Sequence, residues 1–239
     1  MSGHSKWSTI KREKGAKDAK RGAIFTKLGN QIAIAARAGI DPTMNSSLAL
    51  AIEKAKQSNM PAANIQRAID RVSDKNAAVL EEVTYEGMGP SGVALIVETA
   101  TDNRNRTFPE LRNALTKNGG RIADAGSVMF QFTRKGVIDI ANSGEDALMT
   151  VLECGAEDAV EENGGIIVYT EQKDLANVRN AIIDAGLKVQ DAGLQYVPNH
   201  EVEINEKESA QKIIKLLDAI DDLDDVTNVY HNANITVDI

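Results

Sequence analysis

Apolar positions in the first third of this chain recur with a helical period. Ile24, Leu28, Ile32 and Ala35 follow the spacing of one helical face, and Gly39 before Ile40-Asp41-Pro42 is a stop signal. A second face, Leu48, Ile52 and Ala55, begins where Asn45 or Ser46 can cap a helix. A third, Ile65, Ala68, Ile69 and Val72, follows Pro61, whose missing N–H costs nothing in a first turn. Residues 18–75 therefore read as three amphipathic helices joined by short turns, a small bundle.

From about residue 81 the period shortens. VALIVETA (93–100) is apolar and partly β-branched, as a buried strand should be, and GMGPSG (87–92) before it reads as a hairpin turn. A helix follows, capped by Thr101 or Asp102, with Leu111, Ala114 and Leu115 inward, and VMFQF (128–132) is the next strand. Gly136 opens a second unit: strand VIDIA, helix 144–154, a strand pair around the Asn163-Gly164-Gly165 turn, helix 173–185 and strand LKVQDAGLQYV. That order, βαββαβ, is the split βαβ or ferredoxin-like plan. The last segment holds one helix, with Ile213, Leu216, Leu217 and Ile220 inward, and strand VTNVYHNANI. Too small to bury a core alone, it is expected to return to the sheet begun at 83–132. The expected fold class is α+β: an N-terminal three-helix bundle plus two ferredoxin-like α/β domains, one inserted into the other. The expected boundaries are 1–78, then 79–134 joined by 200–239, with 135–199 inserted.

Composition adds little until charge is mapped. With 42% apolar and 26% charged residues among 239, the chain is an ordinary globular protein. No apolar run approaches the roughly 18 residues of a membrane span, and the first stretch is too polar for a secretory core, so a cytoplasmic protein without a membrane partner is expected. Cys154 is the single cysteine, which excludes an internal disulfide and a cysteine-based zinc site. The net charge is −8, yet residues 1–75 hold 14 Lys+Arg against 6 Asp+Glu, a balance of +8, while the remainder balances at −16. Such asymmetry points to a polyanion met by the basic part alone.

The cations are concentrated in GHSKWSTIKREKGAKDAKRGAIFTK (3–27). Followed back at about 100° per residue, the apolar face of the first helix becomes Arg21, Lys17 and Lys14. That part of the face has no place in a core, because burying unpaired charges costs several kcal/mol each. Trp7 and His4 interleave with the cations, and a flat ring among cations suits a phosphate chain whose unstacked bases lie on it. Gly15, Gly22 and Gly29 form a row opposite the apolar face, where close approach of another backbone is one reason for them. The bland alternative is a solvated tail with Trp7 folded onto the bundle. TDNRNRT (101–107) is a second candidate: a helix start at which Arg104 and Arg106 either bind phosphate or pair with local carboxylates.

Enzyme chemistry finds no constellation. His4, His200 and His231 are scattered, Cys154 reads as a structural thiol, and GMGPSG is not a P-loop. The acidic run Asp221-Asp222-Leu223-Asp224-Asp225 reads as a solvated turn, with a divalent-cation site as its alternative. No cofactor and no metal are expected.

GHSKW, KGAKDAKRGAIFTKL, NMPAANIQRAI, YEGMGPSGVALIVE, TDNRNRT and GGRIADAGSVMFQF together resemble the YebC/PmpR family, from residue 3 to the DDLDDVTNVYHN segment. The resemblance implies three domains, no enzymatic activity, and a role in gene expression: DNA-binding transcriptional regulators, mitochondrial translational activators or ribosome-associated factors. It carries over a nucleic-acid surface at Lys6, Trp7, Lys11, Arg12, Lys14, Lys17, Lys20, Arg21 and Lys27, with Arg104 and Arg106. In NSSLALAI the positions where relatives carry arginines are Ser47 and Ala49, which thins the basic face of the second helix. The expected partner is nucleic acid, either ribosomal RNA or tRNA on the ribosome or promoter DNA, bound by a monomer or weak dimer.

Overall fold

The computed structural model describes residues 18–74, 78–162 and 164–237. In chain order its helices and strands begin with α1 (Asp18–Ala36), α2 (Ser46–Gln57), α3 (Ala62–Asp70), β1 (Glu81–Met88) and β2 (Ala94–Thr101). Next come α4 (Arg104–Lys117), β3 (Arg121–Ile122), β4 (Phe132–Ile140), α5 (Glu145–Glu153), β5 (Asp158–Glu162) and β6 (Gly165–Thr170). The chain ends with α6 (Leu175–Asp184), β7 (Val189–Pro198), β8 (Val202–Ile204), α7 (Lys207–Asp221), β9 (Val226–His231) and β10 (Ala233–Ile235). Phe132–Asn199 forms one compact unit, and the described residues on either side of it form another.

The first three helices bury Leu28, Ile32 and Ala36 of α1 against Leu48 and Ala55 of α2 and Ile65, Ala68 and Ile69 of α3. The seam starts one turn later than the periodicity predicts, since Ile24 is 43% exposed, and Val72, also exposed, lies past the end of α3. Asn45 is the cap of α2: its carbonyl oxygen accepts the Leu48 N–H at 3.1 Å, while its amide donates to Ala35 and Gly39 carbonyls at 2.8 and 2.7 Å. One buried side chain thus satisfies orphan groups at the end of one helix and the start of the next. At Gly22 and Gly29 no backbone of this chain approaches: a Cβ on Gly22 would meet nothing within 4 Å, and one on Gly29 only side-chain atoms at ordinary contact. Gly15 lies outside the described residues.

In the larger unit the strand order is β3-β1-β2-β9, every pair antiparallel, with β8 and β10 as a separate parallel pair. Helices α4 and α7 supply Leu111, Leu115, Ile213, Leu216, Leu217 and Ile220 to one core with Leu95, Val97, Val226 and Val229 of the sheet. The return of the C-terminal segment to β2 is observed as the pairing of Val97 with Val229. The element order, which starts with a hairpin, is not βαββαβ, so the ferredoxin-like expectation does not describe this sheet. VTNVYHNANI also divides into β9 and β10, the second half pairing with Val202–Ile204 instead of continuing the first.

The smaller unit has the element order β4-α5-β5-β6-α6-β7 and the strand order β5-β6-β4-β7, all antiparallel. Two boundaries move. Gly136 does not open the unit but sits inside β4, where a Cβ would lie 2.2 Å from Thr170 Oγ1 and 2.9 Å from Leu175 Cβ. VMFQF is not a strand before Phe132: Met129–Gln131 is a turn of 3₁₀-helix. Its backbone is already engaged, since the buried Glu86 carboxylate accepts N–H bonds from Gly126, Val128 and Met129 at 2.5, 2.6 and 2.7 Å.

Candidate nucleic-acid interface

Lys6, Trp7, Lys11, Arg12, Lys14 and Lys17 lie outside the described residues, and Lys20 is described only as part of the α1 backbone. Arg21 is exposed near the start of α1. Lys27, Arg37 and Arg71, farther along, are engaged by the protein itself. Lys27 is half-buried, donates to the Asp221 backbone carbonyl at the end of α7, and stands 3.7 Å from that residue's carboxylate. A cation there satisfies a helix C-terminus, where carbonyls are left without partners. Arg37 donates to the Leu80 carbonyl at 2.8 Å, and Arg71 to Asn30 at 3.3 Å, so these bundle cations also hold the chain to itself.

TDNRNRT forms the start of α4, but its cap is Asn103, not Thr101 or Asp102. The Asn103 side-chain Oδ1 accepts the Arg106 N–H at 3.2 Å, and Thr101 Oγ1 accepts the Asn103 N–H at 2.9 Å. Arg106 forks onto both carboxylate oxygens of Asp225 at 2.9 Å and reaches Asp102 at 3.2 Å. The same Asp225 carboxylate accepts the hydroxyls of Thr107 and Thr101 at 2.6 and 3.1 Å. Hydrogen bonding and attraction from Asp225 hold Arg106 more firmly in its charged form. Arg104, 61% exposed at its side chain, is 2.6 Å from Glu81. Of the two uses open to these arginines, the geometry is that of internal ion pairing: α4 is tied to the loop before β9.

Asp225 is what periodicity and composition miss. Within the run 221–225, Asp222 and Asp224 are exposed as a solvated turn predicts, yet Asp225 is only 7% exposed. No local pattern marks it, because its partners lie more than 100 residues away. Glu86 is missed as well, its backbone donors at Gly126, Val128 and Met129 also lying far along the chain. Burial alone pushes its carboxyl up, but the three backbone donors outweigh that and hold it below its usual value.

Groups capable of other chemistry are placed apart. Cys154 caps the C-terminus of α5, and burial followed by the neighbouring Glu153 pushes its thiol up, away from the nucleophilic thiolate. Among the described residues no three His, Cys, Asp or Glu side chains group as metal ligands. No described helix is long and apolar enough to cross a membrane.

Comparison with known proteins covers both halves of the chain. Residues 5–75 match the family model of the TACO1/YebC protein N-terminal domain, and residues 80–233 that of the TACO1/YebC second and third domain. A "probable transcriptional regulatory protein" of Halothermothrix orenii is 46% identical over 246 residues, covering 100% of this chain and 97% of that one. A protein of the same name in Trichlorobacter lovleyi is 47% identical over 242 residues, covering 100% and 98%. The crystal structure of a conserved hypothetical protein from Aquifex aeolicus matches with a TM-score of 0.88 at 41% identity, covering 95% of this chain and 96% of that one. The chain belongs to the TACO1/YebC family.

Proposed function

We propose that this protein is a non-enzymatic regulator of gene expression that binds structured RNA, on the ribosome, through its basic N-terminal arm. Lys6, Lys11, Arg12, Lys14, Lys17, Lys20 and Arg21 neutralise phosphates, and Trp7 stacks on an unpaired base. The observation that carries the reading is the segregation of charge, +8 over residues 1–75 against −16 for the rest. The engagement of Lys27, Arg104 and Arg106 by carboxylates and carbonyls supports restricting the contact to the arm. The acidic remainder faces away from the polyanion and suppresses indiscriminate binding. In this reading the protein comprises a helical domain, a discontinuous α/β domain and an inserted βαββαβ domain.

Sedimentation of a lysate through a sucrose gradient tests it: the protein travels with ribosomal fractions at moderate salt, and its absence from them contradicts the proposal. Transcriptional regulation by promoter binding is the second reading, favoured by the names of the relatives. A reproducible footprint on duplex DNA, with affinity well above that for random duplex, would select it.

A further inference from the structure

Strand β1 has one edge that its sheet leaves open. Its odd-numbered residues bond towards β2, a pattern that ends with Gly89 donating to Val93 at 2.8 Å, so its even-numbered residues bond outward. On that outer side β3 pairs with Gly87 and Met88, and Ala123 donates to the Glu86 carbonyl at 2.9 Å. Past this point Glu82 and Thr84 are exposed, and among the described residues no hydrogen bond reaches their outward N–H and C=O groups. Unpaired backbone of this kind is a template for another strand.

A cleft accompanies the open edge. Val83 and Tyr85 alternate onto the face covered by α4, which runs alongside β1: Arg104 meets Glu81, the Phe108 ring centre is 6.0 Å from that of Tyr85, and Leu115 lies over Gly87. Val83, Tyr85, Arg104, Asn105, Phe108 and Pro109 line a cavity of about 330 Å³, to which β2 contributes nothing. Phe108, 39% exposed, is an apolar wall left open to a partner.

Charge selects the occupant. Residues 76–103 hold five carboxylates and no lysine or arginine. Glu82, Glu86 and Glu98 share the face turned away from α4, Glu98 standing opposite Thr84. The donors to Glu86 are backbone N–H groups, and those to Glu98 are the Asn228 amide and Tyr230 hydroxyl at 2.9 and 3.1 Å, all of them neutral. Glu82 enters no ion pair among the described residues. A strand added at this edge sets alternate side chains beside Glu82 and the intervening ones towards the cleft. A second copy of this chain would bring two sets of these carboxylates together and a phosphate chain would be repelled, whereas a cationic strand is attracted.

We propose that the free edge of β1 receives an extended segment of another protein in which lysine or arginine alternates with apolar residues. The segment exchanges backbone hydrogen bonds with Glu82 and Thr84, seats an apolar side chain against Val83, Tyr85 and Phe108, and sets a cation beside Glu82. The site is separate from the arm and does not depend on the RNA reading.

The test titrates a synthetic peptide of alternating lysine and leucine into the isotopically labelled full chain and follows amide NMR shifts and amide exchange with solvent. The same peptide N-methylated at its lysines, a glutamate–leucine peptide and a single-stranded RNA oligonucleotide serve as controls. The expected result is saturable shifts centred on residues 82–85 and Phe108, with slowed exchange at Glu82 and Thr84, for the unmethylated cationic peptide alone. Thr84→Pro, which removes an outward N–H at an edge where proline is tolerated, should weaken binding about tenfold. Glu82→Gln, which removes the charge at constant shape, should weaken it about threefold, with the dispersed spectrum of the folded chain retained. Absence of saturable shifts, shifts centred on other acidic segments such as 221–225, equal binding of the N-methylated peptide, an equal response of this edge to the acidic peptide or RNA, shifts that follow protein concentration alone, or undiminished binding by the folded Glu82→Gln variant overturns the proposal.

Discussion

Two stretches of this chain are dense in cations, residues 14–21 and residues 101–106, and they differ in what is known to accompany them. At the second, the fold brings Asp225 from more than 100 residues away, buries it, and sets it between Arg106, Thr101 and Thr107, while Glu81 meets Arg104. At the first, four cations stand against Glu13 and Asp18 in the sequence, and of the cations farther along Lys27 is committed to the end of α7 and Arg71 to Asn30. Cation density alone does not mark a polyanion site. What decides is whether distant parts of the chain supply the counter-charge.

That comparison can be broken by separating binding from stability. Replacing Lys14, Lys17, Lys20 and Arg21 with alanine should weaken binding to structured ribosomal RNA on the order of a thousandfold at about 0.1 M salt, and flatten the slope of log affinity against log salt by about 3. Thermal unfolding of the same variant should be unchanged. Asp225→Ala should do the reverse: it strands two buried hydroxyls and a guanidinium, lowers unfolding free energy by about 3 kcal/mol in urea titration, and leaves the salt slope alone.

Smaller effects sharpen the contrast. Glu86→Gln should cost about 2 kcal/mol at neutral pH, because the loop at 126–129 loses a charged acceptor. The folded carboxyl titrates below its usual 4.5, so its contribution is complete above that pH and fades as pH falls through the folded value. The gap between native and variant unfolding midpoints should accordingly close under acid. Trp7→Ala should reduce RNA affinity about tenfold with little change in salt slope, as expected of a stacking contact. Arg104→Ala, which removes an exposed ion pair, should shift stability by about 0.5 kcal/mol and leave binding untouched.

Local signals account for what the sequence makes legible. The inner stripes of α1–α3 and of α7, the glycine turn between β5 and β6, and the βαββαβ order of residues 132–199 all rest on periodicity and turn chemistry within a few residues. The errors arise where a distant group overrides the local pattern. VMFQF has strand composition, but Glu86 of β1 takes its backbone donors; VTNVYHNANI reads as one strand, but Val202–Ile204 captures its second half. Lys27 belongs to a helix that turns from apolar to cationic, and nothing near it in sequence reveals that the end of α7 receives its ammonium group. The proposed contact was legible as charge and an aromatic, while the arginines at 104 and 106 could be assigned only once Asp225 and Glu81 were in place.

Photocrosslinking of the native chain to thiouridine-containing ribosomes, with the attached peptides identified by mass spectrometry, tests the central claim most directly. Crosslinks concentrated within residues 3–21, lost on competition with salt, are the predicted result. Crosslinks centred on residues 101–107 or within 132–199 would contradict it.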